Sequence, residues 1–260
     1  MKAADKISRL KAGLKGFCEN NGFSKVMLGL SGGMDSAFAA VLACQTLGAE
    51  NVHALMMDTK YTLPDSLDIA RDMARHYGFK YQEINIDSLV DAQAELLRSA
   101  FGQPVKGIVL ENLQARIRGQ ILMAYSNQFG NLVLACGNKS EIAMGYCTLY
   151  GDTCGGLAPI GDVYKTDLYR LAKSSGWYFP ADVLTRAPSA ELAFDQKDQD
   201  SLPPYPVLDG ILEQLLDHKK PLDEIVKKGY ERNIVRFVAA RHEMTRFKRL
   251  QLPPVIKLNR

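Results

Sequence analysis

The chain has 260 residues, 47% hydrophobic and 23% charged, ordinary values for a soluble protein with enough apolar material for a sizeable core. Thirty-two basic against 29 acidic residues leave a net charge of +3, which excludes a global field for a polyanion, so nucleic-acid binding would need a local patch. Five cysteines with no CxxC pair, a start without a long apolar core, and no membrane-length apolar run point to a cytoplasmic protein with free thiols, without disulfide framework or zinc site.

Residues 5–20 carry Ile7, Leu10, Leu14 and Phe17 at helical spacing, so an amphipathic helix comes first. KVMLGL (Lys25–Leu30) suits a short buried strand; SGGMDS (Ser31–Ser36) follows directly, and Ala37–Leu47 is small, apolar and helix-forming. Val52–Met57 and Tyr81–Ile86 predict further strands on either side of a helix over Asp65–Tyr77. Strands alternating with helices imply an α/β fold, a doubly wound parallel sheet with helices on both faces. Leu110–Asn127 predicts a helix, Leu132–Cys136 (LVLAC) a strand, Gly151–Pro159 a glycine-rich loop and Thr166–Ser174 another helix. Residues 185–206 are polar, proline-bearing and aperiodic, which suits a long mobile loop. Helices over Val207–Leu216 and Leu222–Phe247, the latter broken at Gly229, follow. No repeat or interdomain linker intervenes, so residues 1–260 are expected to form one domain with 207–260 as a helical C-terminal segment.

A strand, a Ser-Gly-Gly turn and a helix place successive backbone N–H groups at a helix N-terminus, where oriented amides and the helix dipole bind phosphate. Gly32 and Gly33 allow positive φ and close backbone approach, and Ser31 and Ser36 can add hydroxyl donors. Asp35 would repel phosphate unless a cation intervened, and Mg²⁺ between its carboxylate and the phosphate oxygens resolves the conflict. The bland alternative is a glycine turn with Asp35 capping a helix. Neither GxGxxG nor GxxxxGK[ST] is present, so dinucleotide and Walker loops are excluded.

GLSGGMDS after an apolar strand resembles the signature loop of N-type ATP pyrophosphatases, which split ATP between the α and β phosphates and adenylate an acceptor oxygen. The resemblance narrows with NLQARIRG (Asn112–Gly119), ACGNKSEIAMGYCTLYGD (Ala135–Asp152) and GGLAPIGDVYKTDLYRLA (Gly155–Ala172). Together with APSAEL (Ala187–Leu192), DSLPPYPVLDGIL (Asp200–Leu212) and FKRLQLPP (Phe247–Pro254), these blocks look like NAD⁺ synthetase. The resemblance implies an adenine nucleotide alpha hydrolase-like, Rossmann-like fold and a ligase that forms a C–N bond. The carboxylate of deamido-NAD⁺ would attack ATP, release pyrophosphate, and then exchange AMP for ammonia to give NAD⁺. It also implies a homodimer, for which Ile117, Ile121 and Leu122 offer apolar helix surface.

Residue roles follow from the same resemblance. ATP would lie against Gly29, Leu30, Ser31, Gly32, Gly33, Met34, Asp35, Ser36, Cys136, Lys165 and Ser189. Asp35 and Glu141 would hold Mg²⁺; standing alone, Glu141 is a solvated or capping acid. Lys165 would neutralise phosphate and act with Asp35 and Lys248 in catalysis, where an isolated lysine is a surface residue. Ser189 alone would be a helix N-cap near Glu191, and Arg116 an exposed helix arginine. Arg116, Leu149, Gly156, Phe247 and Lys248 would contact deamido-NAD⁺. The run Arg246, Lys248, Arg249 is equally a solvated helix end favoured by the dipole.

The sequence departs from the family pattern at Cys136 (often threonine), Leu149 (lysine in short ammonia-dependent members), Gly156 (aspartate there) and Asp58 (often proline). TLYGD and GGLAPI instead resemble the synthetase domain of glutamine-dependent members. No N-terminal catalytic cysteine, GxCxG elbow or room for a further domain of ~250 residues is present, so the chain is expected to use free ammonia or a separate glutaminase subunit. An N-type pyrophosphatase amidating another carboxylate, or a silent nucleotide-binding protein, are the alternatives.

Overall fold

The apolar runs become strands because each finds partners on both faces. In the computed structural model, which describes residues 1–258, β1 (Val26–Gly29) pairs in parallel with β2 (Val52–Asp58), and β2 with β3 (Lys80–Asn85). β4 (Leu132–Val133) adds to the other side of β1, giving the order β3-β2-β1-β4. Side chains alternate between the two faces as the pleat requires. Val26, Leu28, Ala54, Leu132 and Leu134 pack under α1 (Ala3–Asn20), α2 (Met34–Leu47) and α3 (Pro64–Tyr77). Met27, Leu55, Met57 and Val133 pack on the opposite face under α4 (Asp87–Phe101) and α5 (Ile108–Phe129). The doubly wound α/β expectation is met.

After β4 come α6 (Lys139–Met144) and α7 (Lys165–Ser174), whose Leu168 and Leu171 complete the first face. α8 (Ala181–Thr185) precedes the long polar segment. α9 (Tyr205–Leu212), α10 (Leu222–Lys227), α11 (Arg232–Met244) and α12 (Arg246–Arg249) follow. Leu208, Ile211, Ile225, Val235 and Val238 from these helices form a separate apolar cluster with Met144 of α6. Asn259 and Arg260, the end of the expected 207–260 segment, lie outside the described residues. Among the described residues, no helix is long and apolar enough to cross a membrane. All five cysteines are free thiols.

Several elements differ from expectation for identifiable reasons. α4 fills a stretch for which no element is expected; Val90, buried, and the partly buried Ala94 and Leu97 form its core-facing stripe at helical spacing. LVLAC is a strand for only two residues, because Leu134 bridges instead to Leu157 and Ala135 N–H bonds the Leu157 carbonyl. The helix foreseen over Leu222–Phe247 breaks at Gly229, where φ is +98°, and again at Thr245, whose φ of −93° and ψ of 9° leave the helical range. The apolar α5 surface suggested for a dimer is a correction: Ile117 and Leu122 are 1% and 8% exposed, packed into the chain's own core beside Leu55. The exposed apolar residues of the α4–α5 hairpin are instead Leu89, Leu96, Phe101, Ile108, Val109, Met123 and Phe129.

The chain runs outward from β1 to β2 and β3, then returns to β4 on the other side of β1. The order therefore reverses between β1 and β4, and the loops leaving their C-terminal ends diverge into a crevice.

Candidate active site

Ser31–Ser36 sits at that crevice. Gly32 has φ +76°, and a Cβ there would collide with α3: even the Ser66 Cα would lie 2.7 Å away. Only glycine satisfies both demands. The Ser36 hydroxyl donates to the Gly33 carbonyl at 3.1 Å and accepts from Ser31 N–H at 3.1 Å, closing the loop on itself. Gly33 begins α2 without a side-chain cap, so the first-turn amides keep their free donors. Ten of the 14 residues of α2 are buried, so its dipole acts in a poorly screened setting.

Asp35, in the first turn of α2, meets two groups delivered from beyond β4. Asn138 caps α6: its Oδ1 accepts from Glu141 N–H at 3.1 Å while its Nδ2 donates to Asp35 Oδ1 at 2.7 Å. Lys165 Nζ donates to Asp35 Oδ2 and, at 3.1 Å, to Glu141 Oε1. One ammonium thus bridges two carboxylates. The lysine is held from behind: its N–H donates to Ser140 Oγ at 2.9 Å, and Asp209 of α9 accepts from Ser140 Oγ at 2.5 Å and from Thr166 N–H at 2.8 Å.

Burial pushes the Glu141 carboxyl up to about 8, with Lys165 opposing and Asp35 adding to the rise. Burial alone would lower Lys165, but Asp35 and Glu141 outweigh it and hold the ammonium above its ordinary pKa. Cys136 is raised to about 12 by burial and by both carboxylates, so it remains a thiol, a weak donor. Among the described residues, no group of three or more His, Cys, Asp or Glu gathers to hold a metal. Two carboxylates beside a phosphate-type loop suit instead a hard cation such as Mg²⁺, which takes its remaining ligands from phosphate and water.

Gly29 through Ser36, Cys136, Glu141, Lys165, Ser189 and Lys248 all line one cavity of about 530 Å³. Ser189 is not a helix N-cap, since no helix follows it. Its hydroxyl accepts from Glu191 N–H at 3.2 Å and donates to the Gln196 carbonyl at 2.6 Å, shaping the segment that roofs the cavity. Lys248 is no solvated helix end: it is half-buried, donating to the Gly145 and Cys147 carbonyls at 2.9 and 2.6 Å.

Four of the expected substrate contacts fall outside this cavity. Arg116 is exposed and donates to the carbonyl of the partly buried Leu149 at 3.3 Å. Gly156 lies beside β4, its N–H on the Val133 carbonyl, and Phe247 is exposed on α12.

Four further residues reach the site without a local motif. Tyr205 of α9 donates to Asp198 Oδ2 at 2.7 Å and, at 3.4 Å, to Glu141 Oε1. Tyr146 donates to Asp198 Oδ1 at 3.3 Å, so the roofing segment is tied to the acid pair through a buried carboxylate. Arg186 donates to Ser66 Oγ at 2.8 Å and to the Gly32 carbonyl at 3.3 Å, and it pairs with Glu191. Arg118 lines the cavity from α5. The only sequence signal for Arg118, Tyr146 and Tyr205 is their presence inside distinctive blocks, and Arg186, just before APSAEL, has none.

The profile of the NAD synthase family matches residues 6–253. A glutamine-dependent NAD(+) synthetase of Xanthomonas campestris pv. campestris (strain 8004) is 46% identical over 253 residues, which cover 95% of this chain and 46% of that protein. The chain therefore spans about half the length of that relative. The structure of NMN synthetase from Francisella tularensis is 26% identical, with TM-score 0.82 and 96% of both chains covered. The NH3-dependent NAD synthetase from Campylobacter jejuni subsp. jejuni NCTC 11168, in complex with the nitrate ion, is 28% identical with TM-score 0.78, covering 97% of this chain and 98% of that one.

Proposed function

The chain belongs to the NAD synthase family, and from that premise we propose that it makes NAD⁺ from deamido-NAD⁺, ATP and ammonia. The observation that carries this reading is the meeting of Asp35, Glu141 and Lys165 at the uncapped start of α2, inside one cavity. The amides and hydroxyls of Ser31–Ser36 hold ATP phosphate at the helix terminus. Lys165 answers the charge that accumulates as the carboxylate oxygen bonds the α-phosphorus and pyrophosphate leaves. Asp35 and Glu141 would hold Mg²⁺, which supplies further charge neutralisation on the phosphates. Ammonia then adds to the acyl carbon of the mixed anhydride, AMP departs with the bonding pair, and a proton is lost to give the amide. The roofing segment keeps water from taking ammonia's place.

Arg116, Leu149 and Phe247 do not line their own chain's cavity, which suits a homodimer in which they serve the partner's substrate site. Glutamine-dependent relatives and an NH3-dependent neighbour frame the nitrogen source. Our reading is that this segment takes ammonia, free or passed from a separate glutaminase subunit.

The test is direct: purified chain, Mg²⁺, ATP, deamido-NAD⁺ and ammonium, with NAD⁺, AMP and pyrophosphate quantified. All three should appear in equal amounts, and none with glutamine alone. Absence of NAD⁺ and AMP sinks the reading, and glutamine turnover by the pure chain overturns the nitrogen assignment. Nicotinate mononucleotide belongs in the assay because one structural neighbour is an NMN synthetase. Preference for it would move the acceptor, not the chemistry.

A further inference from the structure

Arg118 lines the cavity yet has none of the roles above. α5 carries it to the C-terminal end of β2, where its Nε donates to the Met57 carbonyl at 2.9 Å. Its Nη1 is shielded from solvent and, among the described residues, has no hydrogen-bond partner. A buried donor left unpaired carries its full desolvation cost, so the fork is built for an acceptor that arrives through the cavity.

Two observations define that acceptor. The guanidinium charge already feels Asp58, Glu191 and Asp87, which oppose the pull of burial on its pKa. What is missing is a hydrogen-bond acceptor rather than a counter-charge. The second observation is the order of groups along the sheet. Glu141 and Lys165 follow β4 and the phosphate loop follows β1, whereas Arg118 stands by β2, on the opposite side of β1. A nucleotide whose phosphates face Ser31–Ser36 and Lys165 therefore extends its uncharged end toward β2. Leu55 and Met57 of β2 and Ala115 and Leu122 of α5 give the cavity apolar lining there, the kind of surface a base stacks on.

We propose that Arg118 reads the purine base of the nucleotide, donating from its free fork to an in-plane ring nitrogen. The assignment rests on the nucleotide reading of the cavity. It makes Arg118 a specificity residue, remote from the reacting atoms.

Calorimetric titration of ATP with Mg²⁺, without acceptor and hence without turnover, separates the possibilities. Arg118→Met should weaken ATP by about ten- to a hundredfold, the range for a charged donor losing its acceptor, and Arg118→Lys by less. One of 1-deaza-, 3-deaza- and 7-deaza-ATP should lose a matching factor on the wild type and nothing further on Arg118→Met, closing a cycle between residue and ring atom. Equal ATP affinity in wild type and Met variant overturns the proposal. So does a wild type that binds all three analogues as it binds ATP, or a Met variant impaired only toward the carboxylate acceptor. A wild type that binds no ATP defeats the nucleotide reading itself and is recognised by that result alone. If Arg118→Met fails to fold, Arg118→Lys and the wild-type analogue series carry the same comparison.

Discussion

Asp35 takes an amide from Asn138 and an ammonium from Lys165, so its carboxylate is oriented before any ligand arrives. Asp35→Asn keeps the size and the Asn138 neighbour but removes the charge. Turnover should fall by at least about a hundredfold while circular dichroism stays unchanged; near-normal turnover would refute the metal and phosphate role. His53 shows a different residue-scale consequence. It is 4% exposed on β2, edge-on to Tyr125, with Nε2 buried and unpaired among the described residues, and burial first, then Lys80, holds its pKa below the ordinary 6.5. The folded chain therefore keeps this ring neutral where the unfolded chain binds a proton. Stability should fall as pH drops below 6.5, by one proton's slope of about 1.4 kcal/mol per pH unit, until the folded pKa is passed. Denaturant midpoints of His53→Phe across that window should lose this slope. The phosphate loop was legible in the sequence because its residues are neighbours along the chain. Arg118, Asp198 and Tyr205 were not, because their proximity to Glu141 or the cavity is made by helices distant in sequence.

At the scale of elements, the turn between β1 and α2 depends on α3 as much as on its own glycines. Gly32→Ala must hold a positive φ and push back the Ser66 backbone, so it should cost about 2–4 kcal/mol and remove nucleotide binding. Gly22→Ala is the control. It has φ +71° with open space around it, and it should cost only about 1 kcal/mol. Equal chemical denaturation midpoints for the two variants would show that the contact with α3 does not matter. Elements with strong periodicity or a following glycine were readable, as β2, α3 and α5 show. α4 carries Val90, Ala94 and Leu97 at helical spacing, a readable signal that the sequence reading passes over, and β4 is overdrawn because an apolar run does not say which neighbour the chain will leave it for.

At the scale of the molecule, the α4–α5 hairpin presents Leu96, Phe101 and Ile108 at 69%, 57% and 65% exposure, more apolar surface than one exposed leucine would explain. We expect a homodimer through this hairpin. Leu96→Arg should shift light-scattering mass toward the monomer at micromolar concentration, and an unchanged mass would place the interface elsewhere. The sheet and the helices α9–α11 have separate apolar cores, yet Asp209 of α9 is the clasp that fixes the start of α7, and with it Lys165. Warming need only loosen the smaller core for that clasp to open while the sheet persists. Heat should therefore silence the protein before it melts: residual activity after brief incubation should vanish several degrees below the main calorimetric transition, and amide exchange in α9 should rise first. Loss of activity coinciding with the main transition would mean that the two cores come apart together.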